Sequence, residues 1–129
     1  AVLRALHFFE ENRRVIEQTE ALERGDIGRY LALVRESGKS SWTLLQNCQS
    51  AARPGEQGLA LALALTEKFL GGEGACRVHG GGFAGTIQAY LPEGAVRAYE
   101  ASLAPYFGPA CVTRLSIRRE GVCELDSTD

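Results

Sequence analysis

The sequence has no excess of basic residues, no long apolar run and no close pair of cysteines or histidines, and each absence closes off a class of function. Fourteen Lys and Arg stand against sixteen Asp and Glu, for a formal charge of −2. Nucleic-acid recognition shows as a basic face, and this chain has none. It also lacks the basic amphipathic stretch of a membrane-surface helix. The longest apolar run, Leu59 to Leu65, is seven residues, whereas a membrane span needs ~20. Cys48, Cys76, Cys111 and Cys123 are scattered, and His7 and His79 do not complete a zinc-ligand pair. Disulfide frameworks belong to small secreted domains. The thiols therefore read as reduced and mostly buried, and the chain as cytoplasmic. No signal peptide opens the sequence, and its start at Ala1 rather than Met reads as a processed or excised piece.

What is present is an ordinary globular composition: 129 residues, 45% apolar and 23% charged. That length predicts one domain, residues 1–125, with 126–129 as a frayed tail. Leu3, Leu6, Phe9, Ile16 and Leu22 recur at helical spacing and predict an amphipathic helix over 3–23, closed by Gly25. Asp26 is a candidate N-cap for a second helix over 27–36, with Ile27, Tyr30, Leu31 and Val34 inward. Ser37 to Ser41 reads as a break before a helical segment from Trp42 to about Ala52. Glu56–Leu70 reads as a tightly packed core helix, stopped by Gly71-Gly72-Glu73-Gly74.

From Ala75 the pattern changes. Ala75–His79 and Gly85–Leu91 read as strands, Ala95–Ala104 as a helix ended by Pro105, Gly108 and Pro109, and Cys111–Ile117 as a third strand by alternation. Arg118 to Gly121 reads as a turn, and Val122–Leu125 as a last strand. Short connections then predict an α+β fold, a four-stranded antiparallel sheet with helices packed on one face.

Between the first two strands lie four glycines in six positions, Gly80, Gly81, Gly82 and Gly85, with Phe83 and Ala84. Glycine at this density implies a backbone in close approach to something, or in turns with φ > 0. A ligand phosphate is the commonest such neighbour, and a tight turn packed under a helix is the structural counterpart; spacing alone favours neither. Gly80, Gly82 and Gly85 satisfy G-x-G-x-x-G, but Thr86 to Leu91 follows as strand, not helix, so a dinucleotide fingerprint is excluded. A protein-kinase glycine loop lacks its partner motifs here. Gly38-Lys39-Ser40 imitates the end of a P-loop, but Leu33 stands where its first glycine belongs.

The run Arg77-Val78-His79-Gly80-Gly81-Gly82-Phe83-Ala84-Gly85-Thr86 resembles the third motif of the GHMP small-molecule kinases, in its galactokinase version, Gly-Gly-Gly-Phe-Gly-Gly between two strands. Glu11-Asn12-Arg13-Arg14-Val15, Leu22-Glu23-Arg24-Gly25-Asp26 and Val34-Arg35-Glu36-Ser37 resemble further galactokinase segments. The resemblance spans roughly residues 7–124. Ala84 stands where that family has glycine, His79 where it has threonine or serine, and Ser40-Ser41-Trp42 and Asn47 depart from its common text, as in a divergent bacterial branch.

The resemblance implies the ferredoxin-like C-terminal domain of a two-domain kinase that transfers the γ-phosphoryl group of ATP, with Mg²⁺, to the anomeric hydroxyl of galactose. Its partner is the N-terminal kinase domain, which in that family carries the second motif, the catalytic Asp and most of the ATP and Mg²⁺ site. No catalytic residue is then expected in this chain, which alone is expected to be inactive. Gly80, Gly81, Gly82, Phe83, Ala84 and Gly85 are the expected phosphate-proximal residues, with amides from Gly81 to Gly85 facing the phosphate. His79, Ser40 and Ser41 are weaker candidates for substrate contact. Trp42 is expected to anchor the core or a domain interface, and Arg77 to face solvent or the missing domain. Two alternatives stand beside this reading: a stand-alone ligand-binding or regulatory module, and a GHMP kinase for another small alcohol.

Overall fold

A computed structural model describes residues 1–83 and 85–117. The expectations for Ala84, for the turn at 118–121, for the strand Val122–Leu125, for the tail and for Cys123 lie outside the described residues. Among the described residues four α-helices and one two-stranded sheet follow in the order α1 (Val2–Glu23), α2 (Ile27–Ser40), α3 (Gly58–Leu70), β1 (Ala75–His79), β2 (Thr86–Tyr90) and α4 (Val96–Phe107).

α1 and α2 form an antiparallel hairpin around the tight connection at Gly25. The Asp26 carboxylate caps α2 by accepting the Arg29 amide at 2.9 Å, which satisfies one of the unpaired first-turn donors. Glu10–Arg14, Arg13–Glu17 and Glu20–Arg24 pairs run along α1 at i, i+4, each a small contribution to an isolated helix. The apolar stripe expected to face inward does not. Phe9 is 70% and Ile16 61% exposed, while Arg14 and Ala21 are buried. The inner side of α1 meets a polar network, described below, so burial there follows hydrogen bonding rather than hydropathy. On α2, Leu33 and Val34 are buried and Ile27 is exposed.

α2 does not break at Ser37. It runs to Ser40 and tightens into a five-residue π-helical turn, Ser41–Leu45. Gln46, at φ 57°, ends it, and no helix continues to Ala52. Gly38 explains why α2 persists there. A Cβ at this position would sit 3.1 Å from both the Cβ of Arg77 and the carbonyl oxygen of Cys76. The glycine is a contact point between helix and strand, where its weak helix propensity is offset by close packing.

The sheet is antiparallel, with Ala75 opposite Tyr90, Arg77 opposite Gln88 and His79 opposite Thr86 on one face, and Cys76 and Val78 opposite Ala89 and Ile87 on the other. The ring of Tyr30, on α2, meets that of Tyr90 edge-on with centroids 5.8 Å apart. On the opposite face Leu59 and Leu63 of α3 pack with Cys48 against Val78 and Ile87. Burying side chains of this size is worth ~2 kcal/mol each. α4 lies beyond α3. The Tyr99 hydroxyl shares a 2.7 Å hydrogen bond with that of Thr66, and the Phe69 and Tyr99 rings lie 5.3 Å apart.

Two features of the expected architecture are corrected. The class is α+β, but the sheet has two strands among the described residues, not four, and helices line both of its faces rather than one. Cys111–Ile117 forms no strand. Leu115 is 78% and Ile117 94% exposed. Alternation marks out two faces, but among the described residues no neighbouring strand pairs with it to make a ladder.

Candidate functional site

β1 and β2 are joined by the glycine segment, and its tip stands in solvent. Gly80, Gly81, Phe83 and Gly85 are exposed, and Gly82 is half-buried. Gly80, Gly82 and Phe83 all take positive φ, at 63°, 79° and 63°. For phenylalanine this conformation costs about 1–2 kcal/mol, so the surroundings must impose it. They do so through Asn47. The Asn47 carbonyl accepts the Phe83 amide at 2.6 Å, and its side-chain amide donates to the Gly81 carbonyl at 3.3 Å. Asn47 itself is 2% exposed. It sits just after Gln46, whose left-handed turn swings the chain out of the π-helical turn and towards the hairpin.

This bracing separates the roles of the glycines. A Cβ on Gly82 would fall inside the Asn47 carbonyl and 2.8 Å from the Asn47 Cγ, so Gly82 is required by close packing. Gly80 and Gly81 have nothing within 4 Å of where a Cβ would stand. Their small size serves no internal contact among the described residues. The amides of Gly80, Gly81, Gly82 and Gly85 have no backbone acceptor among the described residues, whereas that of Phe83 is taken by Asn47. The expectation of an unbroken row of free donors from Gly81 to Gly85 is corrected at Phe83. Ala84 lies outside the described residues.

His79 ends β1 beside the tip and is exposed. Ser40 and Ser41 lie where α2 passes into the π-helical turn, and Ser40 borders a small open space towards α1. Both are buried, and the Ser40 hydroxyl is bonded to His7 Nδ1 at 2.9 Å. The Ser41 Oγ has no partner among the described residues. Neither side chain caps a helix, because the helical backbone continues from Ser40 straight into the π-helical turn. Trp42 is 40% exposed.

Three of the segments quoted for the family resemblance, those around Glu11, Ser37 and Arg77, meet in one place. The Glu11 carboxylate, from α1, accepts from the Ser37 hydroxyl of α2, from Arg14 and, at 3.2 Å, from the Arg77 guanidinium of β1. Arg14 also pairs with Glu10 at 2.8 Å. Arg77 therefore faces the interior of the helical layer and not open solvent, and its Nε donates to the Val78 carbonyl at 3.1 Å. Burial pushes the Glu11 carboxyl up, but Ser37, Arg77 and Arg14 together outweigh it and hold it below its ordinary value. These residues tie α1 and α2 to the strand that carries the hairpin. Asn47, which clamps the tip, was missed by sequence reading because its partners are 34 or more residues away and no local pattern announces them.

No family model matches the chain, and no solved structure matches it. Among the described residues no three His, Cys, Asp or Glu side chains converge as a metal site, and no helix is long and apolar enough to cross a membrane.

Proposed function

We propose that the chain is the C-terminal domain of a galactokinase-like kinase of the GHMP superfamily, contributing the glycine hairpin to a phosphate site shared with the N-terminal kinase domain. One observation carries this reading: the hairpin tip is open, strained at Phe83 and clamped by Asn47, while the amides of Gly80, Gly81, Gly82 and Gly85 have no backbone acceptor among the described residues. Strain held in place at an exposed loop is characteristic of binding sites. Amides fixed before the reaction stabilise developing phosphoryl charge without reorganisation. In the intact enzyme ATP supplies the phosphoryl group and Mg²⁺ screens its charge, both held mainly by the N-terminal domain. This chain's own part is to place donors beside the phosphate and to exclude water with the half-exposed Phe83 ring. The proposed enzyme is cytoplasmic, as the scattered thiols, read as reduced, suggest.

The outer face of α1 supports a partner domain. Phe8, Val15 and Leu22 recur at seven-residue spacing beside Val2, Phe9 and Ile16, and all six are exposed. Together they expose on the order of 600 Å² of apolar surface, at or above the largest patch usual on a soluble monomer.

The test is the parent polypeptide. It is expected to phosphorylate galactose in an ATP-dependent manner, with the isolated chain inactive. Gly81→Val in the parent, placed where no internal contact is disturbed, keeps its amide but is expected to crowd the phosphate away from the neighbouring donors and lower turnover ~100-fold, the scale of one lost oxyanion donor. Full turnover in that variant overturns the role of the hairpin. Phosphorylation of another small alcohol in place of galactose overturns the sugar and keeps the superfamily. Tight binding of ATP or galactose by the isolated chain favours a stand-alone module.

A further inference from the structure

We propose that the chain carries a second binding site, in the cavity between α2 and α3, for a small organic monoanion with an apolar body. The cavity holds about 660 Å³, within the ~300–1,000 Å³ of small-molecule sites. Leu63, Ala64 and Leu70 form its α3 wall, and Ala75 and Cys76 close it along β1. These side chains offer a ligand mainly apolar contact.

The opposite wall is cationic. Arg35 and Lys39 lie one turn apart on α2, and Trp42 follows within the next turn, all lining the cavity. Arg35 donates to the Gly74 carbonyl through one nitrogen, which fixes the guanidinium at the end of the cavity and leaves its other donors for a ligand. Lys39 makes no ion pair among the described residues. Arg77 also borders the space, but its guanidinium is held by Glu11 and the Val78 carbonyl. The acid in the lining is Glu67, on α3. Its charge repels a second negative group, so the site selects a monoanion over a phosphate dianion. Burial, with Glu67 adding to it, pushes the Cys76 thiol up to about 11, so the cavity floor stays uncharged at neutral pH.

Lys39 also borders a smaller space of about 310 Å³ towards α1. There the charges of Arg13 and Arg14 are matched by the Glu10 and Glu36 carboxylates, and no comparable apolar wall exists. None of the residues of the glycine tip lines the larger cavity, so this site is separate from the phosphate site proposed above.

Trp42 is the single tryptophan of the chain, so its fluorescence reports occupancy directly. The probe is anilinonaphthalene sulfonate, an aromatic monoanion, and the control is phenylnaphthylamine, its uncharged counterpart. The expected result is saturable energy transfer from Trp42 to the sulfonate, with a single class of sites. Lys39→Gln is expected to weaken the sulfonate about fivefold, the scale of one exposed charge pair, and to leave the uncharged dye unchanged. Glu67→Gln is expected to tighten the sulfonate, and Ala64→Phe, at an exposed position that tolerates bulk, to weaken both dyes. Three outcomes overturn the proposal: no transfer from Trp42, equal binding of the sulfonate by Lys39→Gln, or loss of the signal on Phe8→Ser with Phe9→Ser, which places the dye on α1 instead.

Discussion

The Asn47 carbonyl holds the Phe83 amide at 2.6 Å, and that bond sets the conformation of the hairpin tip. Asn47 follows directly on the end of the helical layer, and Phe83 stands in a left-handed conformation that an aromatic residue does not choose unaided. A buried residue thus fixes an exposed one, which is the arrangement a preorganised binding loop requires.

Replacing Asn47 by Ala keeps the backbone bond and removes the side-chain bond to Gly81. A cost of ~1–2 kcal/mol is expected in denaturant unfolding. Faster hydrogen exchange at Phe83 and Gly82 than at β1 residues would localise the loss to the tip.

The glycines divide by position. Gly82→Ala drives a Cβ into Asn47 at φ 79° and is expected to destabilise the fold by ~2 kcal/mol or more. Gly81→Ala meets nothing within 4 Å and is expected to stay within ~0.5 kcal/mol of the parent. Equal melting temperatures for the two variants would contradict the clamp.

Glu11 links stability to acid. Its carboxyl lies below the ordinary 4.5 in the folded chain, so the folded state binds its proton less readily than the unfolded state. The contribution is complete above pH 4.5 and is lost as the pH falls through the depressed value. Glu11→Gln is expected to flatten that part of the stability profile. Glu11→Ala leaves Arg77 without its carboxylate and Arg14 with Glu10 alone, at an expected cost of ~3 kcal/mol in unfolding experiments.

The alkaline limb has the opposite sign. Burial, with Glu67, raises the Cys76 thiol from 9.0 to about 11, and burial, with Tyr30, raises the Tyr90 phenol from 10.0 to about 12. Both groups stay protonated in the folded chain at pH values where the unfolded chain has released the proton. Stability is therefore full below pH 9.0 and declines as pH rises towards about 12. Cys76→Ala is expected to remove the lower portion of that decline, and slow alkylation of Cys76 until the chain unfolds is the companion measurement.

Gly38 tests the helix–strand contact. Gly38→Val forces α2 away from Cys76 and Arg77, and a loss of ~1–3 kcal/mol is expected in thermal unfolding. An unchanged melting temperature would show that α2 does not bear on β1 at this point.

Much of the local structure was legible in the residues. The Asp26 cap, the stop at Gly71 to Gly74 and the strands flanking the glycine segment follow from short-range chemistry, and α1 and α3 begin and end close to where their periodicity places them, whereas α4 runs through Pro105 to Phe107 instead of ending at Ala104. The inward face of α1 was not legible. Periodicity points to Phe9 and Ile16, yet Arg14 is the buried residue, because Glu10 and Glu11 neutralise it and Ser37 and Arg77 share the network. Likewise the alternation of Cys111 to Ile117 reads as strand, but a strand exists only where another backbone pairs with it.

The residues alone determined where the backbone is free to turn and where it is held regular, since capping, glycine conformation and side-chain spacing act over a few positions. Tertiary structure decided which glycine is a packing necessity and which is open, which face of α1 is inside, and that Asn47 and Phe83 meet. Those outcomes depend on contacts between distant segments. Their free energy comes from desolvation and hydrogen bonding among groups that only the folded chain brings together.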